Sequence, residues 1–346
     1  MPTVAPEHRT RRGGTATTDP PARGRGPSRT DCSTEPTARS SPYRCHRPAF
    51  TERRPLPPGG PVNGPVVVGF DGSPESLAAT DWAAHEARRR ALPLELLQAW
   101  PWPKTDVLGT DEAISWSRRR LAAREAELRA ALGGIEVASA HVPEDPVEAL
   151  ETAGRSATLL VLGSRGLGTA RGFLVGSVSH QVLRRAACPV VLVRADEDGS
   201  APEKTGDVVV GVGLRDPCDG LLAFAFEAAA LRSVPLRIVH GWEPPVGSEY
   251  LSATAADGTA RDLSAVDRDR LEALSADWRD RCPGVDATAG LVHAAPAAAL
   301  VDASATAGLV VVGRHTRRWP IGTHLGPVAH AAVHHVGCPV VVVPHE

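Results

Sequence analysis

Gly163, Gly166, Gly176 and Ser177 form a spaced set: two glycines close a short loop, nine residues follow, and a third glycine stands before a hydroxyl residue. Glycines let backbone N–H groups approach an anion closely, and a helix that starts at Ser177 adds uncapped donors and a favourable dipole. Ser177 and Ser179 offer hydroxyls in the same stretch, and Arg165 and Arg171 offer positive charge. The chemistry this pattern suits is holding a phosphate. Two stronger nucleotide motifs are absent. No GxxxxGK[ST] occurs, and the glycines of Gly163-Ser-Arg-Gly166-Leu-Gly168 are wrongly spaced for GxGxxG. A hydrolase would also need a positioned base near the phosphates. His180 is the nearest in sequence, it has no acid partner in reach, and it reads as a surface histidine.

The elements around the loop explain its position. Val66–Phe70 is a short apolar strand of the kind buried on both faces of a parallel sheet. Ser73 as N-cap and Pro74 as first residue open a helix to about Ala91, with Leu77, Ala84, Ala87 and Ala91 as its packing face. Strand Leu94–Ala99, helix Asp111–Leu132, strand Glu136–Val142, helix Pro146–Gly154, strand Thr158–Leu162, helix Ser177–Ala187 and strand Pro189–Val193 follow. Five strands alternating with four helices predict a doubly wound α/β domain, with ligands beyond the C-terminal ends of the strands. After a polar linker at 195–206 the unit restarts. PVVVGF at Pro65 is answered by DVVVGV at Asp207, and LELLQAW by LRIVHGW, both offset by 142 residues. ACPVVLV is answered by GCPVVVV at an offset of 150, so an insertion of eight is expected after Trp242.

These residues resemble the universal stress proteins in their tandem, actinobacterial form. The family motif G-x2-G-x9-G-[ST] fits Gly163, Gly166, Gly176 and Ser177 without a gap. V-V-G-F-D-G-S with Asp71, and C-P-V-V-L-V, match its opening and closing signatures. The resemblance implies two tandem Rossmann-like (adenine nucleotide alpha hydrolase-like) domains. Each would have a five-stranded parallel sheet of order 3-2-1-4-5, helices on both faces, and ATP between the first and fourth strands. It places Asp71 and the backbone near Gly69 against adenine and ribose, and Ala99 on the adenine side. Gly163–Gly166 (with Ser164 and Arg165) and Gly176–Ser179 (with Ser177 and Val178) would lie on the phosphates, any Mg2+ arriving with the triphosphate. It also implies that the last strands pair across a twofold axis, Val190–Val193 with Val340–Val343. The second repeat departs from the motif: Gly213 stands for Asp71, Thr316 for the second glycine and Pro327 for the serine. Its nucleotide site is therefore expected to be degenerate while its fold persists.

The rest of the sequence bounds the function. Residues 1–60 carry eleven arginines, no lysine and five acids, and are rich in Pro, Ser, Thr and Gly, so they read as a disordered extension. The domains expected are 62–194, nucleotide-binding, and 207–344, degenerate. The net charge of −2 argues against a nucleic-acid partner, and no apolar run is long enough to span a membrane. Without a secretory apolar stretch the cytoplasm is the expected compartment. The six cysteines fit no zinc site, including the group His334, His335 and Cys338, and no disulfide framework is expected. The reading is an ATP-binding, non-enzymatic stress regulator, alone or as a homodimer. The alternatives are a slow ATP hydrolase and a nucleotide-free interaction module.

Overall fold

Val66–Gly69 (β1) is the centre from which the first half grows. The structure, a computed structural model, describes residues 64–100, 110–164, 176–195, 205–244, 253–316 and 325–345; the expectation for 1–60 lies outside these. Pro74–Arg90 (α1) follows β1, with the Ser73 hydroxyl accepting from the Ser76 amide at 3.2 Å and Pro74 as first helical residue. α1 ends where Ala91 takes a left-handed conformation, φ 52°. Ala91 is thus an exposed cap, not part of the packing face. The buried face is Ala78, Ala79, Trp82, Ala83, Ala84 and Ala87.

Leu94–Ala99 (β2), Thr110–Leu132 (α2), Val137–Val142 (β3), Pro146–Ala153 (α3), Leu159–Ser164 (β4), Ser177–Arg185 (α4) and Val190–Arg194 (β5) complete this half. The second half repeats it as Asp207–Gly211 (β6), Asp219–Arg232 (α5), Leu236–Gly241 (β7), Ala253–Arg281 (α6), Ala287–Val292 (β8), Pro296–Ala303 (α7), Ala307–His315 (β9), Pro327–His335 (α8) and Val340–His345 (β10). The change of offset falls between β7 and β8, where α6 has 29 residues against 23 in α2.

All ten strands form one sheet of order β3-β2-β1-β4-β5-β10-β9-β6-β7-β8. Each half is a parallel 3-2-1-4-5 unit, and the halves meet where β5 and β10 pair antiparallel, with Val191 opposite Val341. At the offset of 150 those two valines are each other's counterparts, so a pseudo-twofold axis passes between them. The pairing expected from the resemblance is present. It covers the edges that β5 and β10 would otherwise expose. Both core layers run across this seam: α1, α2, α5 and α6 cover one face, and α3, α4, α7 and α8 the other.

The seam also carries charge. Glu86 of α1, 1% exposed, pairs with Arg90 at 2.7 Å and with Arg232 of α5. Arg90 lies over the Phe224 ring and Arg232 over the Trp82 ring, two matched contacts related by the axis. Burial opposes ionisation of Glu86, but Arg232 and Arg90 outweigh it and hold the carboxyl below its ordinary value. Cys188, Cys218 and Cys338 are buried free thiols. Cys282 is disulfide-bonded, which the cysteine spacing did not announce.

Candidate functional site

β1 and β4 lie side by side, so the loops after them face one crevice beyond their C-terminal ends. After β1, Asp71 accepts a hydrogen bond from the Ser73 amide at 2.8 Å and stays exposed. Partial desolvation opposes its ionisation, but hydrogen bonds from Ser73 prevail and hold its carboxyl below 3.8. Asp71 therefore stands at the crevice as a fixed negative charge and acceptor. Gly69 packs β1 on β4: a Cβ there would meet Leu162 Cδ2 at 2.8 Å. Ala99 ends β2, half-buried and opposite Val142 of β3.

On the other side, α4 starts at Gly176 with no side-chain cap. Its first intrahelical bond is from the His180 amide to the Gly176 carbonyl, 2.9 Å, which leaves the amides of Ser177, Val178 and Ser179 without a helical acceptor. Three free donors at a helix N-terminus are an arrangement suited to an anion. The Ser179 hydroxyl is spent inside the protein, donating to the Gly163 carbonyl at 3.2 Å, and so ties α4 to the end of β4. Gly163 has a packing role besides, since a Cβ there would lie 2.6 Å from the Glu75 backbone in the first turn of α1. Ser164 is 2% exposed, and its Oγ has no partner among the described residues. Arg165, Gly166 and Arg171 lie outside the described residues. Gly176 has open space around it, with only Ser179 Oγ as near as 4.0 Å.

One side chain that sequence reasoning missed reaches this loop. Arg120 of α2 donates to the Gly72 carbonyl at 2.6 Å and lies over the Trp116 ring at 4.7 Å. Gly72, at φ 78°, has no side chain where the guanidinium sits, 2.5 Å from an ideal Cβ. Only the glycine of D-G-S could have hinted at the contact. His180 is half-buried and faces the seam, where its charge and those of His334 and His335 bear on His330. Among the described residues no group of three His, Cys, Asp or Glu side chains could hold a metal ion.

The matching place in the second half is built differently. A Cβ on Gly313 would meet the His345 ring at 2.3 Å. That ring bonds the Pro217 carbonyl at 3.1 Å and packs on His315, while the His345 carbonyl accepts from the Thr316 amide at 2.8 Å. α8 opens with Pro327, which has no amide hydrogen to offer.

The comparisons with known proteins agree with this architecture. The model of the universal stress protein family matches residues 63–194 and again 205–344. A universal stress protein of Mycobacterium tuberculosis is 34% identical over 295 residues, covering 80% of this chain and 96% of its own length. A second from that organism is 34% identical over 292 residues, covering 80% and 95%. The crystal structure of a universal stress protein from Archaeoglobus fulgidus has the same fold, with a TM-score of 0.63, 19% identity, and coverage of 82% of this chain and 99% of that one. With the family's model matched twice, on two halves joined in one sheet, this chain belongs to the universal stress protein family.

Proposed function

We propose that this protein binds one ATP per chain, in the half spanning 62–194, and acts as a non-enzymatic regulator of a stress response in the cytoplasm. The carrying observation is the uncapped start of α4 at Gly176, facing a crevice with Asp71 on its far side. The triphosphate would lie on the amides of Ser177, Val178 and Ser179 and the loop from Gly163 through Ser164, Arg165 and Gly166. Gly69, Asp71 and Ala99 would take the nucleoside, and Mg2+ would enter with the triphosphate. The half spanning 207–344 serves as a structural partner, a role supported by Pro327 and by the His345 ring over Gly313. A non-enzymatic role is supported by His180, which faces the seam histidines. The experiment is calorimetric titration of the nucleotide-stripped protein with ATP, preceded by identification of the nucleotide that co-purifies. A stoichiometry near one agrees, resting on one competent helix-terminus site. A value near two, or no binding, overturns the reading.

A further inference from the structure

We propose that Arg120 of α2 is a positioning residue for the nucleoside side of the cleft: it fixes the loop that carries Asp71. This rests on the nucleotide reading above and adds α2 as a third wall, beside the β1–α1 loop and α4. The geometry is specific. The guanidinium donates to the Gly72 carbonyl, occupies the space left by the missing Gly72 side chain, and is backed by the Trp116 ring. Among the described residues Arg120 pairs with no carboxylate, so its contact with the loop is not a by-product of an ion pair. Trp116, 55% exposed, is a large apolar surface left at the rim of the cleft.

Two further groups on this side have unused hydrogen-bonding capacity. Gln98 lies one residue before the end of β2, on the sheet face that α2 covers, and Ser117 belongs to the buried stripe of α2. Both are at least nine-tenths buried, and among the described residues neither Gln98 Oε1 nor Ser117 Oγ has a partner. Buried polar groups are ordinarily satisfied, and those that are not call for a water or a ligand.

The second half shows what these positions do when no ligand is held. Gln98 corresponds to His240, whose Nδ1 is engaged with the Val212 carbonyl at 2.9 Å. Ser117 and Arg120 correspond to Asp267 and Arg270, which pair with each other at 3.2 Å. Gly72 corresponds to Leu214 and Trp116 to Val266. The second half has thus closed its α2-equivalent wall on itself, and the first has kept its wall turned to the loop.

The test is ATP affinity of the full chain, stripped of nucleotide and measured well below the melting temperature, for the parent, Arg120→Ala, Arg120→Lys and Arg270→Ala. Arg120→Ala should weaken ATP binding roughly tenfold, the scale of one well-placed hydrogen bond. Arg120→Lys, whose ammonium can still donate to the Gly72 carbonyl, should recover most of that, and Arg270→Ala should bind as the parent does. A double-mutant cycle with Gly72→Ala should be non-additive, because the added methyl displaces the same guanidinium. Parent-like ATP affinity in Arg120→Ala, no recovery in Arg120→Lys, or an equal loss in Arg270→Ala overturns the proposal. A parent that binds no ATP overturns the nucleotide reading and this proposal together.

Discussion

In the first half the bare backbone of Gly163 lies against the first turn of α1, whereas in the second half Gly313 lies under the imidazole of His345. The strands around the two glycines match in order and register. The same scaffold therefore sets different neighbours against the two glycines, helix backbone in the first half and an imidazole in the second. Burying a core constrains strands and helix faces; it does not constrain the loops beyond the strand ends, which are free to diverge. In the second half Pro327 withdraws a donor at the helix start, and the His345 ring takes the space beside Gly313.

The largest expected difference comes from adding a side chain at the two helix starts. Gly176→Val should abolish ATP binding while the protein keeps its melting temperature. Gly176 has φ −60° and open space, so the valine is tolerated by the fold and projects where phosphate would sit. Gly326→Val, at the matching position, should leave titration with ATP unchanged. Equal effects of the two variants would erase the distinction between the halves.

The next effect concerns a buried acid at a position where the two halves differ. At the offset of 142, Arg90 matches Arg232 and Trp82 matches Phe224, but Glu86 matches Ala228. Glu86→Ala leaves Arg232 without its carboxylate partner and Arg90 with Glu227, at 2.8 Å, and should cost about 3–5 kcal/mol in chemical denaturation, as breaking a buried ion pair does. The same contact sets an acid limit. Because the folded carboxyl titrates below its ordinary 4.5, its stabilisation is full above that pH and is lost as pH falls through the lower folded value.

How much of this could be read in the sequence follows from the range of each interaction. Strand and helix alternation, the Ser73–Pro74 start and the uncapped Gly176 are local, and the sequence displays them. The repeat pointed to a pseudo-twofold arrangement, and the family resemblance, not any periodicity, pointed to the pairing of Val190–Val193 with Val340–Val343. Arg120 on Gly72, His345 over Gly313 and Glu86 between two arginines join residues 48, 32 and 146 apart, as the arithmetic of their numbers shows. No periodicity marks such contacts. The bond from the Ser73 amide to Asp71, which helps keep the carboxyl ionised, depends on the turn geometry after β1 and is not marked in the sequence.

Smaller effects sharpen the comparison further. Ser177→Ala should weaken ATP binding by about 1 kcal/mol, the worth of one hydrogen bond, whereas Pro327→Ser should not create a second site in the titration because Thr316 still replaces the second motif glycine and His345 still packs on Gly313. The least effect is expected at the α4–α8 face of the seam. There desolvation, then His334, His180 and His335, hold His330 below its ordinary 6.5. A histidine kept neutral in the fold costs stability once the unfolded chain takes up its proton, so stability should begin to fall below about pH 6.5. His330→Gln should remove that part of the pH profile and leave the loss attributed to Glu86.

The pairing of β5 with β10 inside one chain has a consequence for dilution. Two separate copies joined by the same strands would part once their concentration dropped below the dissociation constant, and each would then present a bare edge. Here the partner is tethered, so closure is unimolecular and its effective concentration does not change with the amount of protein. The tether also permits unlike residues on the axis. In a symmetric pair, an acid at position 86 would meet its own duplicate; in this chain Glu86 lies between Arg90 and Arg232 with Ala228 at its counterpart position, an arrangement open only to halves that need not be identical.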